Sequence, residues 1–535
     1  MIYFKSNIFI IGLFCHILQL KSNGLIATNV GLQTQKGTIY GRQTQSSIEY
    51  LGIQYAQASR WKPPIDLASD TFPNGTFNAT SFGPCCPQPT VKIYIDRQDE
   101  QCLYLNIFTP INVSNQSLLP VLIWIHGGAL QTGCSSQGIP TIYNGTNIIA
   151  NSLQPAIIVT INYRLGVLGD LYLPALVEEN SPDWPTAVNK NIRDYGGNPK
   201  NVLLFGESSG AKAVVDIGAL KGSANLYQHI ISESSAASHY PYYSNISNAI
   251  QASNKVVQNM NCTRENNALM LACLRNSSIE DLIVAFGYRP ANTIVDGYFF
   301  PYYPPLAIKN GLYNPNITMI IGNNEQEPLT CFENPDMNST KAIAMTSETI
   351  LPHWLPLFVN NYQLNSCSSN RNAKNRCCDV VHSFIIDKLF DCNVQRLYNN
   401  LYMKYQQSHK LYWYHLDCNP GICPELSVEE GAGLCGHVDE IPFVFGTVSS
   451  YNSMNSHNCT WDSQTRSFSN QIISHWISMA RDGEPLQPWP QYSPTAKKYF
   501  KITPYHDFSP EPWYRDCSLL DQLEDEQIRI MFPIN

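Results

Sequence analysis

The sequence predicts an α/β protein: a central, mostly parallel twisted sheet covered by helices on both faces. Three observations predict it. Short β-branched and aromatic runs recur and are apolar throughout rather than alternating, as strands buried on both faces are. Each run ends in a loop rich in glycine or polar residues, and in open α/β sheets functional groups sit beyond the carboxyl ends of the strands. No Pro/Gly/Ser linker divides the 535 residues, so residues 25–535 read as a single domain.

The runs come in order. Residues 121–125 lead into His126-Gly127-Gly128-Ala129, and residues 156–161 into Asn162-Tyr163-Arg164. Residues 202–205 run into Gly206-Glu207-Ser208-Ser209-Gly210, and a helix-compatible stretch follows at 211–220. Residues 230–231, 319–321 and 411–414 complete the set, while 361–376 is polar enough for a surface insertion.

Composition sets the class and the compartment. Hydrophobic residues make 44% and charged residues 14%, and the net charge is −8. That balance lacks the clustered Lys and Arg of a nucleic-acid binder. Residues 1–24 read as a cleaved export signal: Lys5 precedes an apolar stretch at 8–20, and Ser22-Asn23-Gly24 offers small cleavage-site residues. The apolar stretch falls short of the ~20 residues that span a bilayer, and no second one follows. Seventeen cysteines, of which Cys15 leaves with the signal, favour disulfides in an exported chain. The sequence has neither a C-x-x-C pair nor H-E-x-x-H, so no metal site and no cofactor are expected. Glycosylation sequons stand at Asn74, Asn78, Asn112, Asn115, Asn144, Asn245, Asn261, Asn276, Asn316, Asn338 and Asn458. The expected address is the secretory route, either the extracellular space or a lysosomal or vesicular lumen.

The chemistry centres on Ser208. Gly206-Glu207-Ser208-Ser209-Gly210 fits G-x-S-x-G between a strand and a helix. A nucleophile on so sharp a turn needs small neighbours, and the helix that follows points its positive end at a developing oxyanion. A serine hydroxyl is a weak nucleophile, so a base and an orienting acid must come from elsewhere. His126-Gly127-Gly128-Ala129 can supply backbone N–H donors to that oxyanion. His126 reads as part of that loop rather than as the base. Eight histidines lie beyond position 327, and the residues alone do not choose among them.

With these motifs, the sequence resembles the type-B carboxylesterase/cholinesterase family of α/β-hydrolases, from about Gly37 to Gln522. The carrying blocks are Gly52-Ile53-Gln54-Tyr55-Ala56, Glu100-Gln101-Cys102-Leu103-Tyr104-Leu105-Asn106, Asn162-Tyr163-Arg164-Leu165-Gly166, and Tyr195-Gly196-Gly197-Asn198-Pro199 through Gly210. The resemblance implies a Ser-acid-His order. Gly322-Asn323-Asn324-Glu325-Gln326-Glu327-Pro328 puts the acid at Glu327, with Glu325 a near competitor, and Gly436-His437-Val438-Asp439-Glu440 puts the base at His437. It further implies oxyanion donors at Gly128, Ala129 and Ser209, a Ser234 hydroxyl touching the acid, and an Arg60–Glu100 ion pair. The implied disulfides are Cys86–Cys102, Cys262–Cys273 and Cys392–Cys517, and the other ten mature cysteines stay unassigned.

Two departures mark this chain. The family's GNxGLxDQ segment is replaced by a shorter stretch holding Asp183, a substitute partner for Arg164, and Gln101 stands where the family has aspartate. Cholinesterases carry a tryptophan in the first disulfide loop that binds quaternary ammonium through its ring face. The loop from Cys86 to Cys102 has only Tyr94 as an aromatic residue. The resemblance therefore implies a serine carboxylesterase for small uncharged esters, with thioesters, acylglycerols and sterol esters all open. The alternative is a catalytically silent adhesion relative, although such relatives commonly lose the nucleophile and this chain keeps Ser208. Oligomeric state is not legible.

Overall fold

The computed structural model describes residues 29–67, 70–90, 95–138, 141–179, 191–220, 222–235, 243–287, 292–327, 330–405, 409–418, 435–447, 461–504 and 508–532. The expected leader, Tyr94, Asp183, Pro328, Cys423, Asn458 and Cys459 lie outside the described residues.

Thirteen strands form the main sheet. They are β1 (Asn29–Thr34), β2 (Gly37–Gln43), β3 (Ser47–Gln54), β4 (Thr76–Ala79), β5 (Tyr104–Pro110), β6 (Leu119–Ile125), β7 (Ile157–Ile161), β8 (Gly197–Glu207), β9 (His229–Glu233), β10 (Thr318–Asn324), β11 (Leu411–Leu416), β12 (Lys498–Ile502) and β13 (Ser509–Pro512). The spatial order is β1-β2-β3-β5-β7-β6-β8-β9-β10-β11-β12-β13, with β4 beside β2. From β7 to β12 every neighbour is parallel, and the six strands read from the sequence are the first six of these seven. The antiparallel margins went unread. β1 explains why, since its residues alternate between partly buried and exposed and give no continuous apolar run.

Both faces of the central strands are covered, which is why each has an apolar stretch without alternation. Val121, Ile123 and Ile125 pack with Val214 and Val215 of α1 (Ser209–Asp216) and with Leu397 and Leu401 of α2 (Cys392–Tyr405). Leu122 and Trp124 face the other way, against Phe445 of α3 (Ile441–Phe445) and Ile472 and Trp476 of α4 (Ser463–Asp482). The helix after Ser208 ends earlier than the sequence predicts, passing into a tight turn at Ile217–Ala219. The Tyr313 hydroxyl donates to the Val215 carbonyl at 2.8 Å, satisfying one of the carbonyls a helix end leaves open. The segment 361–376 is largely exposed, and its end is closed by Cys367–Cys377.

The three implied disulfides are present: Cys86–Cys102, Cys262–Cys273 and Cys392–Cys517. Four more resolve part of the unassigned set, namely Cys85–Cys134, Cys331–Cys378, Cys367–Cys377 and Cys418–Cys435. Arg60 pairs with Glu100 and also donates to the carbonyl of Ser277 at 2.8 Å. Arg164 donates to the Lys62 carbonyl at 2.9 Å. The sequon asparagines Asn74, Asn78, Asn112, Asn115, Asn261, Asn276, Asn316 and Asn338 are exposed, while Asn144 and Asn245 are half-buried. No described helix is long and apolar enough to cross a membrane.

The turn between β8 and α1 passes against the end of β6. A Cβ on Gly210 would lie 2.0 Å from the Ile125 carbonyl oxygen, and one on Gly206 would lie 2.5 Å from the same atom. Backbone cannot yield as a flexible side chain can. Gly210→Ala is therefore expected to cost about 3 kcal/mol, the upper end for adding a methyl group to a packed site, read as a lowered denaturation midpoint.

Candidate active site

Ser208 sits between β8 and α1 with φ 56° and ψ −121°, a conformation that non-glycine residues hold only under compulsion from their surroundings. Its N–H donates to the Glu233 carbonyl of β9 at 2.9 Å, and its carbonyl accepts from Lys212 N at 2.9 Å. The loop after β6 lies directly over it, since a Cβ on Gly127 would meet the Ser208 Cβ at 3.1 Å and Glu207 Oε2 at 2.6 Å. In that loop Gly128, Ala129 and Leu130 have φ of 109°, 55° and 59°. Ala129 thus takes a left-handed backbone despite its Cβ. The N–H groups of Gly128 and Ala129 find no acceptor among the described residues, while Leu130 N donates to the Ser209 hydroxyl at 3.2 Å. Ser209 opens α1, where the N–H groups of a first helical turn are free.

His126 is structural. It is buried, its Nδ1 meets the Gly127 carbonyl at 2.8 Å, and it stacks on Tyr163 with centroids 4.5 Å apart. Burial lowers its pKa to about 4, although the bond to Gly127 works against that, so the ring is neutral.

His437 stands in the loop before α3, and its Nδ1 lies 2.6 Å from Glu327 Oε2. Glu327 follows β10, and its Oε1 accepts from Asn324 N at 2.8 Å. The two residues are 110 positions apart in sequence. The other ring nitrogen, Nε2, lies 3.1 Å from Glu207 Oε1. Among the described residues, no hydrogen bond joins that nitrogen to the Ser208 hydroxyl. The structure thus brings Glu327 to His437 and Ser208 to the oxyanion loop, and it sets Glu207 against the nitrogen that would face the serine. Glu325 does not touch the imidazole; its N–H donates to the Leu416 carbonyl.

Ser234 departs from expectation. Its hydroxyl donates to Glu440 Oε1 at 3.1 Å rather than to Glu327. Glu440 is buried beside His437, close enough to take the donors around the acid, and Asn324 Nδ2 reaches both its Oε2 (2.6 Å) and the Gly436 carbonyl (2.7 Å). Glu233 completes the cluster and accepts from Trp476 Nε1 at 2.7 Å. Sequence reasoning passed over Glu207, Glu233 and Glu440. Two of them left a signal, since Glu207 abuts Ser208 and Glu440 lies three residues past His437.

These carboxyls share one cation. Among the described residues, no Lys or Arg pairs with Glu207, Glu233, Glu327 or Glu440. Burial pushes Glu207 up to about 8; the His437 charge opposes this, and Glu440 and Glu327 add to it. Burial and Glu440 raise Glu233, against the Trp476 hydrogen bond. Burial and Glu327 raise Glu440, against Asn324. For His437, desolvation pulls downward, but Glu207 and Glu327 outweigh it and the pKa rises. With 38% of its side chain open to solvent, water tempers that rise. His437 and Glu207 therefore titrate as a unit.

One described group, Cys331, Cys378 and Asp379, has metal-ligand spacing, but its two sulfurs are joined in a disulfide.

A carboxyl whose folded pKa exceeds its unfolded value favours the native state at low pH and loses that advantage as pH climbs through the folded pKa. For Glu207 the window runs from its ordinary value of 4.5 to about 8. Melting temperature is expected to fall across that window at fixed ionic strength, and to fall less steeply in Glu207→Gln, whose side chain has no proton to lose.

Comparison with known proteins follows the same lines. A family model described as the carboxylesterase family matches residues 28–516. The para-nitrobenzyl esterase of Bacillus subtilis (strain 168) is 28% identical over 497 residues, covering 86% of this chain and 92% of its own. Carboxylesterase 1C of Mus musculus is 26% identical over 517 residues, covering 86% and 87%. The acylcarnitine hydrolase of Mus musculus is 27% identical over 523 residues, covering 88% and 86%. A solved PNB esterase superposes with a TM-score of 0.72 at 23% identity, covering 95% of this chain and all of its own, which shows a shared α/β fold.

Proposed function

We propose, for a chain that belongs to the carboxylesterase family, that carboxylic esters are hydrolysed through an acyl-enzyme on Ser208, with His437 as base and Glu327 as its orienting acid. Ester hydrolysis itself follows from the family and from its esterase relatives. What supports the finer reading is the 2.6 Å contact of His437 Nδ1 with Glu327 in a site whose serine occupies a strained strand-to-helix turn.

His437 Nε2 leaves Glu207, accepts the Ser208 proton, and the oxygen attacks the acyl carbon. Contacts of this kind are often loose before substrate arrives and tighten in the complex. The carbonyl oxygen becomes an oxyanion, held by the N–H groups of Gly128, Ala129 and Ser209. The imidazolium then gives its proton to the leaving alcohol, and water repeats the sequence to free the acid. Glu327 keeps the Nδ1–H tautomer and stabilises the imidazolium.

The substrates we infer are uncharged carboxylic esters, because the described part of the Cys86–Cys102 loop offers no aromatic ring for a quaternary ammonium. Seven disulfides among the described residues and eight exposed sequon asparagines support an oxidising, secretory address.

Two outcomes test this. Wild-type protein is expected to hydrolyse p-nitrophenyl acetate and to take up one organophosphate label per chain. Ser208→Ala is expected to lose about 10⁵–10⁶-fold in kcat, the scale of a lost serine nucleophile, and to stay unlabelled; equal rates in the two proteins would refute the serine. The second outcome concerns pH. Glu207 raises the proton affinity of His437, and the base works only when neutral. Glu207→Gln should therefore move the acidic limb of kcat/KM to lower pH, and an unmoved or upward-moved limb would contradict the arrangement.

A further inference from the structure

The loop carrying the oxyanion donors leaves β6 at Ile125 and returns to the body of the protein at Cys134. Four of its residues have positive φ: Gly128 at 109°, Ala129 at 55°, Leu130 at 59° and Gly133 at 110°. Non-glycine residues held in such regions cost roughly 1–3 kcal/mol each and persist only where the surroundings impose them. Inside the loop the backbone bonds are few, with Gln131 N and Thr132 N both donating to the Gly128 carbonyl. The compulsion has to come from outside.

At Leu130 it comes from the Ser209 hydroxyl and from Gly166 N, which donates to the Leu130 carbonyl at 2.9 Å, and at Gly133 it comes from Gln88. This side chain is buried, and its amide takes both backbone groups of one loop residue: Oε1 accepts from Gly133 N at 2.8 Å, and Nε2 donates to the Gly133 carbonyl at 2.9 Å. Nε2 also reaches the Cys86 carbonyl at 3.0 Å. The grip is anchored at both sides by sulfur, through Cys85–Cys134 and Cys86–Cys102. Gly133 in turn packs on the start of the same loop, since a Cβ there would lie 2.4 Å from His126 Nδ1 and 2.6 Å from the Gly127 carbonyl oxygen. Holding residue 133 therefore holds residues 126 and 127, which adjoin the donors at 128 and 129. Nothing in a proline-flanked glutamine beside two cysteines announces that role.

We infer that Gln88, braced by Cys85–Cys134, is a positioning residue for ester hydrolysis: it acts through Gly133 to fix the oxyanion donors over Ser208 without touching substrate. The inference rests on the serine-esterase reading above. Donors displaced from the 2.7–3.1 Å range stabilise the transition state less while leaving ground-state binding nearly untouched. The effect should thus fall on kcat rather than KM.

Gln88→Met tests it, because methionine fills the volume of glutamine while removing the amide. We expect kcat on p-nitrophenyl acetate to fall about 10–100-fold, the range below outright loss of one donor, with KM within about twofold of wild type. A trifluoromethyl ketone, which becomes an oxyanion on the serine, should lose affinity by the same factor as kcat, while the matching unfluorinated ketone should not. Cys85→Ser/Cys134→Ser should act in the same direction and combine with Gln88→Met less than additively, since both work through residues 133 and 134. An unchanged kcat in Gln88→Met, or equal losses of affinity for the two ketones, would overturn the inference while leaving the serine reading intact if Ser208→Ala is inert. Hydrolysis that survives Ser208→Ala would overturn both.

Discussion

The site depends on one close approach, that of the turn after β8 to the end of β6. The Ile125 carbonyl lies so near Gly206 and Gly210 that neither position has room for a Cβ. This contact forces Ser208 into its positive-φ conformation and lays the Gly127 backbone against the serine. The geometry also decides where Glu207 goes. Glu207, the residue before the turn, is buried beside Ser208 under Gly127, and its carboxyl meets His437. Ser208 in its strained turn and the buried carboxyl of Glu207 are thus two results of the same backbone constraint.

Concentrating acids around one imidazole carries an electrostatic cost that the structure meets without other cations. Among the described residues, three of the four buried carboxyls have a neutral donor, and Glu207 meets only His437. Trp476 serves Glu233, Ser234 and Asn324 serve Glu440, and the Asn324 backbone serves Glu327. A charged lysine or arginine in their place would compete with the imidazolium for Glu327. Neutral donors fix these carboxyls in space and leave His437 as the one cationic partner of the cluster among the described residues. The displacement of the Ser234 hydroxyl from Glu327 to Glu440 belongs to this scheme, because it leaves Glu327 bonded to the imidazole and to backbone alone.

How much of this was legible follows from which forces write a local pattern. Buried parallel strands such as Leu119–Ile125 and Thr318–Asn324 show themselves, because both faces require apolar residues. The outermost strand Asn29–Thr34 does not, since its exposed positions break the run, and Ser47–Gln54 and Tyr104–Pro110, though largely buried, break theirs with polar residues such as Glu49, Asn106 and Thr109. Ser208 is legible because a tight turn demands glycine on either side of it. Glu327 and His437 are ordinary residues in their own segments, and resemblance to a family singled them out where periodicity could not. Gln88 is less visible still. Its partner is the backbone of Gly133, and backbone partners leave no mark on the sequence. The four unassigned disulfides were hidden for a related reason, as pairing is a property of the folded distances and not of the spacing.

The placement of the sulfur bridges carries the argument one step further. Functional loops beyond the strand ends have few ladder hydrogen bonds to hold them, yet catalysis tolerates errors of only ~0.5 Å in its groups. Cys85–Cys134 closes the oxyanion loop, and Cys418–Cys435 ties the end of β11 to a point two residues before His437. Cys435 also lends its carbonyl to Gln326 N, next to Glu327, at 3.0 Å. Glu327, His437 and the loop of Gly128 and Ala129 are thus each held, directly or at one remove, by a disulfide. Bridges of this kind persist where the surroundings are oxidising, and here the bridges that secure the fold also keep three loops in register with Ser208.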